Sequence, residues 1–472
     1  MFELINSMKE VSAIKSFLKL ILILTFGLVL GGCSYLADYY NNKGYKEEQH
    51  GKYDEAIAHL NRAIKNNPKM WEAYNNRGLA YNHKKMYNQA ISDYNKAIEL
   101  NPKEYKPYSN RGLAYYNMQM YDQAISDLNE SIKLKPDYAT SYSNLGLVYL
   151  DKQMYDEAIS TFDKAIELDP KQYIAYTNRG LAYYYQQMYD QAIADFNKAI
   201  DLNSKYYLTY NNLGLVYNDK QMYLQAISNY NKAINLNQKD YQVYGNRGLA
   251  YYNRQMYDQA ITDYNKAIDL NQKDYLVYND RGNAYYNKQM YKQAIADFNK
   301  AIDLNQKDYQ VYDNRGLAYY NMKMFDQAIA DYNKAIDLNQ KDYLVYNDRG
   351  LAYQSKQMYD QAISDYSKAI DLNSKDYQVY DNRGYAYLSK QMYDLAIADF
   401  NKAINLNSKD YLVYDDRGLA YYYKQMYDLA ISDFSKSIEL NPHFKLAYSD
   451  RGNAYLKKGM NKEATQDFNK AK

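Results

Sequence analysis

The fold is decided by residues 241–274, YQVYGNRGLAYYNRQMYDQAITDYNKAIDLNQKD, because close relatives of this stretch follow one another in 34-residue steps along the chain. One glycine keeps the register in every repeat, at Gly44, Gly78, Gly112, Gly146, Gly180, Gly214, Gly248, Gly282, Gly316, Gly350, Gly384, Gly418 and Gly452. A fixed period of this length is typical of a solenoid, in which each repeat contacts its neighbours.

Small and bulky residues alternate within the repeat in a helical pattern. Counted from Tyr241 as position 1, positions 8, 20 and 27 are small: Gly248, Ala260 and Ala267. Positions 4, 11, 17 and 24 are bulky: Tyr244, Tyr251, Tyr257 and Tyr264. Within each half these residues recur at helical spacing, so the repeat is predicted to form two amphipathic helices. The small residues allow the two helices to pack closely as a hairpin.

This pattern resembles the tetratricopeptide repeat (TPR) family over residues 37–472. In the repeat that starts at Trp71, the matching residues are Tyr74, Gly78, Tyr81, Ala90, Tyr94, Ala97 and Pro102. The resemblance implies an all-α, right-handed TPR superhelix of about thirteen hairpins. The repeats start at residues 37, 71, 105, 139, 173, 207, 241, 275, 309, 343, 377, 411 and 445.

Two positions depart from the family pattern. Position 16 is methionine from Met86 to Met460, and the closing proline gives way to Ser or Gln from Ser204 to Ser408. We therefore expect the central turns to be less sharply fixed.

Two further features distinguish individual repeats. Leu145 and Leu213 replace the arginine that stands at position 7 elsewhere, and we expect that arginine to pair with a carboxylate in a structural role. In the first repeat, Lys43, Glu47 and Lys52 fill positions that are apolar or arginine later. Polar substitutions of this kind are typical of a terminal capping repeat.

Composition and motifs exclude several function classes. The net charge of +2 argues against general nucleic-acid binding, which needs a concentrated basic face. Cys33 is the single cysteine, and the four histidines share no ligand spacing, so neither a disulfide nor a zinc site is expected. The chain also lacks a nucleophile elbow and a phosphate loop. We therefore predict that the protein is not an enzyme and takes no cofactor.

Residues 1–33 lie outside the repeats and read as a lipoprotein signal peptide. Lys9, Lys15 and Lys19 precede an apolar run at residues 20–30, which is about half the length of a membrane-spanning helix. This order is typical of a secretory signal. Translation from Met8 instead of Met1 would give a more usual signal length.

The end of this segment, Leu30-Gly31-Gly32-Cys33, resembles the lipobox of bacterial lipoproteins. The resemblance implies cleavage before Cys33 and lipidation of that residue; the alternative is an uncleaved anchor with a buried thiol. Residues 34–36 would form a short tether. Two or more acyl chains anchor a protein stably. The expected location is the cell envelope, at the outer membrane if Gram-negative and otherwise at the outer face of the plasma membrane.

In TPR folds, positions 2, 5, 6, 9, 12 and 13 of the first helix line the concave groove. Position 6 supplies an asparagine ladder, with Asn110, Asn144, Asn178, Asn212, Asn246, Asn314 and Asn382 as candidate peptide-binding residues. Because an amide both donates and accepts hydrogen bonds, such a ladder can hold an extended backbone. It is similar to the ladder in the TPR superhelix of O-linked N-acetylglucosamine transferase. The alternative is that these amides satisfy local backbone and helix-start groups.

Neighbouring positions of the groove refine this prediction. Position 12 carries Tyr116, Tyr184, Tyr252, Tyr286 and Tyr320, which either contact a ligand or pack against the adjacent repeat. Position 6 changes to aspartate at Asp280, Asp348, Asp416 and Asp450, which either ends the ladder or favours cationic ligands. Position 5 has no lysine, whereas the TPR adaptors that bind the acidic tails of cytosolic chaperones use lysine there.

The favoured hypothesis is a membrane-anchored scaffold that binds extended segments of partner proteins in its groove during cell-envelope assembly. A second hypothesis is a structural surface spacer or a self-associating, adhesin-like rod. A third is a non-catalytic subunit of an enzyme complex such as a glycosyltransferase. Because the grooves of the repeats are nearly identical, we expect a sequence-tolerant or repetitive ligand; the fold alone does not specify its identity.

Overall fold

The computed structural model describes residues 34–472, and each secondary-structure element in this range is an α-helix. The prediction of an all-α protein is therefore confirmed. A typical repeat holds a 13-residue first helix and a 14-residue second helix, here called its A helix and its B helix. The helices fall into two compact parts, one ending at Asn237 and one beginning at Gln238.

The first compact part contains six repeats, in which odd-numbered helices are A helices. Its helices are α1 (34–49), α2 (Tyr53–Asn66), α3 (Trp71–His83), α4 (Tyr87–Leu100), α5 (Tyr105–Asn117), α6 (Tyr121–Leu134), α7 (Ala139–Asp151), α8 (Tyr155–Leu168), α9 (Tyr173–Tyr185), α10 (Tyr189–Leu202), α11 (Tyr207–Asp219) and α12 (Tyr223–Leu236). Residues 34–36, which we expected to form a tether, are helical and belong to α1.

The second compact part contains seven repeats with the same alternation. Its helices are α13 (Tyr241–Asn253), α14 (Tyr257–Leu270), α15 (Tyr275–Asn287), α16 (Tyr291–Leu304), α17 (Tyr309–Asn321), α18 (Phe325–Leu338), α19 (Tyr343–Ser355), α20 (Tyr359–Leu372), α21 (Tyr377–Ser389), α22 (Tyr393–Leu406), α23 (Tyr411–Tyr423), α24 (Tyr427–Leu440), α25 (Lys445–Lys457) and α26 (Asn461–Ala471).

The glycine at position 8 allows the A helix to approach the B helix of its own repeat. A Cβ atom on Gly248 would lie 2.7 Å from Cε1 of Tyr264, a ring with no exposed surface. Ala260 and Ala267 are also fully buried on the B helix. One large ring surrounded by small residues therefore forms the core of the hairpin, as the alternation of small and bulky positions predicted.

A left-handed residue at position 15 closes each A helix. Gln255 has a φ of 60°, and its amide donates to the carbonyl of Tyr252 at 2.8 Å. The amide of Met256 donates to the carbonyl of Tyr251 at 2.9 Å. These two bonds form a Schellman motif, which satisfies carbonyls at the helix end. The methionine at position 16 thus supplies one of the two amides of this turn.

Side chains fix the turns between central repeats where proline is missing. Asn271 Oδ1 accepts from the amide of Lys273 at 3.1 Å, and Asp274 Oδ1 accepts from the amide of Leu276 at 3.0 Å. The second bond is an N-cap for α15, and it satisfies an amide that the helix itself leaves unpaired. The asparagine bond also occurs beside proline, as at Asn67 and Asn441, whereas the aspartate N-cap occurs in repeats that lack the proline. The expectation that the central turns are less sharply fixed stays a prediction.

The arginine at position 7 joins an A helix to two B helices. Arg349 donates from Nε and Nη2 to the two carboxylate oxygens of Asp365, at 2.7 and 2.6 Å, and from Nη1 to Asn333 of the preceding repeat at 2.7 Å. Its guanidinium also lies 5.7 Å from the ring centroid of Tyr346. The same arginine–aspartate pair recurs at Arg77, Arg111, Arg179, Arg247, Arg281, Arg315, Arg383, Arg417 and Arg451. The predicted structural pairing is confirmed.

Two repeats replace this ion pair with an apolar arrangement. Leu145 is 5% exposed and Leu213 is 3% exposed, and each packs in a core cluster with a valine. Positions 7, 10 and 23 are Leu145, Val148 and Thr161 in one repeat and Leu213, Val216 and Asn229 in the other. The remaining repeats from 71 onward have Arg, Ala and Asp at these positions. The three positions change together, so no buried carboxylate is left without its arginine.

Candidate functional site

The predicted binding residues lie on one side of the A helices, here called the A-helix face, which carries positions 2, 5, 6, 9, 12 and 13. The seven asparagines and five tyrosines are all half-buried there. The first compact part holds Asn110, Asn144, Asn178, Asn212, Tyr116 and Tyr184, and the second holds Asn246, Asn314, Asn382, Tyr252, Tyr286 and Tyr320. Each set is brought into register along its own part by the 34-residue period.

The asparagine at position 6 donates a hydrogen bond to position 5 of the preceding repeat. The Nδ2–Oδ1 distances are 3.0 Å for Asn76–Asn41, 2.9 Å for Asn110–Asn75, 3.0 Å for Asn314–Asn279 and 2.9 Å for Asn382–Asn347. Asn144 donates to Ser109 Oγ at 3.5 Å, and Asn212 accepts from Asn211 at 3.4 Å. A primary amide that donates one N–H in this way retains a second N–H and a carbonyl oxygen. The ladder therefore couples repeats and keeps polar groups for a ligand.

The tyrosine at position 12 contacts position 13 of the following repeat through its hydroxyl group. The oxygen–partner distances are 2.7 Å for Tyr184–Asp219, 2.7 Å for Tyr252–Asn287, 2.9 Å for Tyr286–Asn321 and 3.2 Å for Tyr320–Ser355. Burial, together with a hydrogen bond to Asp151, raises the pKa of Tyr116. The ring of Tyr252 also packs edge-on against Tyr257, with centroids 5.6 Å apart. These tyrosines thus hold neighbouring repeats together.

Two clefts open on the A-helix face. In the first compact part, a cleft of about 540 Å³ is lined by Asn75, Asn76 and Asn110 together with the aromatic residues Trp71 and Tyr45. In the second, a cleft of about 260 Å³ is lined by Tyr252, Asn283, Tyr286, Asn287, Asn314 and Leu317. Both clefts combine amides with apolar surface, which suits a bound chain with a polar backbone and apolar side chains.

Sequence reasoning missed the exposed apolar residues of this face. Leu276, Leu344 and Leu412, all at position 2, are 50%, 47% and 43% exposed. Trp71, the single tryptophan, lines the larger cleft. Single exposed apolar residues are normal on a protein surface, so these leucines add apolar area to the A-helix face without marking a site by themselves. The alternation of leucine with Gln310 and Gln378 at position 2 was the sequence signal that could have revealed them.

Carboxyl groups replace amides at positions 5 and 6 of the second compact part. Burial raises the pKa of Asp280 to about 7 and, with the nearby charge of Asp348, raises that of Asp313 to about 8. Burial likewise raises the pKa of Asp348 to about 6. Burial, with the charges of Asp415 and other carboxyls, also raises the pKa of Asp416. The position 6 aspartates are predicted from the sequence, whereas their partners at position 5 are not.

The remaining features are the predicted signal peptide and lipidation residue, membrane-spanning helices, and metal sites. The lipidation residue Cys33 and the signal peptide fall outside the described residues. Within residues 34–472, no helix combines the length and apolar character needed to cross a membrane. In the same range, no three His, Cys, Asp or Glu side chains gather closely enough to hold a metal ion.

Family profiles recognise the repeats individually. The tetratricopeptide repeat profile matches residues 71–104, 105–138, 139–172, 173–206, 241–274, 275–308, 310–342 and 343–376, and a second profile of the same description matches 207–240 and 377–410. A TPR repeat profile matches 44–84 and 418–459. The chain belongs to the tetratricopeptide repeat family. The prediction of a TPR solenoid is therefore confirmed, and TPR solenoids generally act as non-catalytic scaffolds that contact other proteins.

Solved structures with a similar arrangement share little sequence with this TPR protein. The Cut9–Hcn1 hetero-tetramer of the APC/C is 16% identical, covering 90% of this chain and 98% of that one, with a TM-score of 0.48. Yeast Tom70 is 20% identical over 90% and 96%, with a TM-score of 0.39. YrrB, described as a TPR protein with an unusual peptide-binding site, is 24% identical over 42% and 97%, with a TM-score of 0.35. The comparison with curated proteins gives no match.

Proposed function

We propose that this TPR protein is a lipid-anchored scaffold that holds extended segments of partner proteins on its A-helix face, in the assembly of the cell envelope. It acts without catalysing a reaction and without binding nucleic acid. The observation that carries the proposal is the pair of clefts, because each joins amide groups of the position 6 ladder to aromatic and aliphatic surface.

The chemistry of the clefts supports an extended peptide as the ligand. Asn110 and Asn314 each donate one hydrogen bond within the protein and keep further amide groups for a backbone. Aromatic side chains such as Trp71 offer a large contact area at low cost in conformational entropy. Since the same groups recur in neighbouring repeats, one ligand can be held at several points, and the affinity of each contact can be modest.

Membrane attachment rests on the four residues Leu30–Cys33 and on the apolar run before them. The proposal is that Cys33 becomes the lipidated N-terminus and that α1 (34–49) begins next to it. Replacement of Cys33 by serine should then abolish incorporation of radiolabelled palmitate and release the protein from the membrane fraction. Continued palmitate labelling of the Cys33→Ser protein would contradict lipidation at this residue.

Site-specific photocrosslinking tests the peptide-holding function. A photoreactive residue replaces Leu79 or Leu317, which line the two clefts, in the full-length protein expressed in its own cells. The matched control carries the same residue at Asp303, an exposed position on a B helix. We expect both cleft positions to crosslink to a shared set of envelope proteins through extended segments, and the control position to miss that set.

Peptide mapping of the crosslinks distinguishes the outcomes. If the crosslinked peptides come from segments without stable secondary structure, the scaffold function is supported. If the cleft positions and the control position capture the same proteins, the A-helix face is not the binding surface and the proposal fails.

One observation favours the alternative of a structural spacer. The hydroxyl groups of Tyr184, Tyr252 and Tyr286 bond to the following repeat, so these side chains stiffen the stack whether or not a ligand is present. A spacer would crosslink from its cleft positions only to other copies of itself. Its function would depend on the number of repeats and survive replacement of the cleft residues.

A further inference from the structure

Carboxyl groups face each other between neighbouring repeats of the second compact part. Position 6 of one repeat meets position 5 of the preceding one, and Asn314–Asn279 and Asn382–Asn347 use this register to form hydrogen bonds of 3.0 and 2.9 Å. Three other repeat junctions have aspartate at both positions. These carboxyl pairs are Asp313–Asp348, Asp381–Asp416 and Asp415–Asp450. The first compact part has Asn, Ser or Thr at the same two positions.

Asp348 accepts a hydrogen bond from Asn347 Nδ2 at 3.2 Å, but the side chains around the pairs leave other carboxyl oxygens without a donor. Asp313, Asp381 and Asp415 each have a buried Oδ1 atom without a hydrogen-bond partner among the described residues, and Asp415 is only 3% exposed. Two amides in this register satisfy each other, because one donates while the other accepts. Two ionised carboxylates cannot, since both are acceptors; such a pair can share a hydrogen bond only while one carboxyl retains its proton. An acceptor group left unsatisfied in a buried place destabilises the protein unless a donor reaches it.

The charged groups that act on these pairs are themselves carboxyls. The charges of Asp348 and the helix-capping Asp342 raise the pKa of Asp313. In the next pair, the charges of Asp416 and the helix-capping Asp410 raise the pKa of Asp381. In the third pair, the charge of Asp450 raises the pKa of Asp415, and Asp416 interacts with both. The arginines of the same A helices do not help, because Arg349 and its equivalents are directed to aspartates of the B helices.

We propose that the carboxyl pairs of α17–α25 form a row of subsites for the lysine or arginine side chains of a bound extended segment. The proposal rests on the peptide-holding function and specifies its ligand for this part of the protein. An ammonium or guanidinium group supplies several N–H donors and a positive charge, so one such group can satisfy both members of a pair. The half-buried members, such as Asp348 and Asp450, give access from the A-helix face.

An organic cation fits these subsites better than a metal ion. Among residues 34–472, three or more ligating side chains never come together with metal-site geometry, whereas a paired carboxylate is a usual partner for arginine. The exposed Leu344 and Leu412 lie on the same face and provide apolar surface for the aliphatic stem of a lysine. The favoured segment therefore alternates basic residues with small or apolar ones.

Binding of a cation should release protons. Burial and the neighbouring carboxyl raise the pKa of Asp313 to about 8, so the pair Asp313–Asp348 retains a proton at neutral pH when it is empty. A lysine ammonium that enters the pair favours the ionised form and displaces that proton. The affinity for basic segments should therefore increase with pH between about 6 and 8.

Fluorescence anisotropy with synthetic peptides tests the proposal on the full chain. The probe is a fluorescein-labelled peptide of repeated Lys-Ser-Gly triplets, and its neutral counterpart has norleucine in place of lysine. The test variant is Asp313→Asn, Asp348→Asn, Asp381→Asn and Asp416→Asn, which copies the asparagine pairs of the neighbouring junctions. The control variant is Asp269→Asn, Asp303→Asn, Asp337→Asn and Asp371→Asn, with the same charge change on exposed B-helix positions.

We expect the wild-type protein and the control variant to bind the lysine peptide about tenfold more tightly than the norleucine peptide, or better, at high pH. The test variant, which keeps the pair Asp415–Asp450, should lose most of the preference for the lysine peptide and retain the wild-type affinity for the norleucine peptide. Equal binding of the two peptides by the wild-type protein would overturn the carboxyl subsites and leave peptide holding intact. If neither peptide binds, the proposed function fails as well. If the control variant loses the lysine preference, long-range charge is responsible and the pairs are not the site.

Discussion

Exchanging one ion-pair repeat for an apolar one tests how the arginine at position 7 stabilises the protein. The first perturbation is Arg349→Leu in the repeat 343–376. The second combines Arg349→Leu, Ala352→Val and Asp365→Thr, which copies the residues found together at Leu145, Val148 and Thr161. The chain thus contains its own evidence that the three changes are compatible with the fold.

The two variants should differ in stability by several kcal/mol. The side chain of Arg349 is 18% exposed and that of Asp365 is 8% exposed, so the pair is largely removed from water. Removing one member of a buried pair costs about 3–5 kcal/mol, because the remaining charge has lost its partner. Replacing the whole pair with packed apolar groups is often neutral, so the triple variant should lie within about 1 kcal/mol of the wild type.

Hydrogen exchange measured by mass spectrometry gives the local free energy of opening for α19 and α20. This local measurement is needed because repeats in a solenoid can unfold separately, and a global midpoint would average over them. Arg349→Leu should reduce the protection of these two helices about a hundredfold or more, and the triple variant should restore most of it. A single variant as protected as the wild type would refute a stabilising role of the ion pair. A triple variant as unprotected as the single one would refute the apolar substitute.

Three further predictions concern the second compact part. Gly248→Ala should lower its unfolding free energy by about 1–3 kcal/mol in urea denaturation, because the new methyl group overlaps the buried ring of Tyr264. Gln255→Gly should raise the unfolding free energy by about 0.5–1 kcal/mol, since a φ of 60° costs glycine less than glutamine, and a decrease would contradict this. Asp313→Asn combined with Asp348→Asn should stabilise the protein at pH 8.5 and have less effect at pH 5, as measured by thermal unfolding. The pKa values of Asp313 and Asp348 in the folded protein, about 8 and about 6, lie above the ordinary value of 3.8. The unfolding free energy of the wild-type protein should therefore decrease as the pH rises from 3.8 through these values.

The sequence was sufficient for the fold because its period is short and exact. Gly248 and Tyr264 stand sixteen positions apart in a repeat of two helices, and their sizes alone indicate which faces meet. The turn between helices was harder to predict. Gln255 adopts the left-handed conformation that glycine usually supplies, and Met256 follows it. No local preference of glutamine points to that conformation, so only the hydrogen bonds of the completed motif explain it.

The candidate site could be predicted only in part, because its hydrogen bonds join different positions of successive repeats. The amides of Asn314 and Asn382 were identified from position 6, and both lie on the A-helix face. Their partners, Asn279 and Asn347, stand at position 5 of the preceding repeat, 35 residues earlier. A comparison of equal positions in successive repeats pairs residues that are 34 positions apart. It does not reveal a hydrogen bond between residues that are 35 positions apart.

The offset changes the meaning of the aspartates at position 6. Viewed alone, Asp348 is an interruption of an asparagine ladder. Paired with Asp313, it belongs to a junction where, once both carboxyls are ionised, two acceptors meet in a register that elsewhere joins a donor to an acceptor. In that ionised state the junction destabilises an empty repeat, and a donor from outside relieves it. A buried arrangement that is unfavourable when empty therefore favours occupation by a cation, and the same substitutions to asparagine should remove both the instability at high pH and the preference for basic segments.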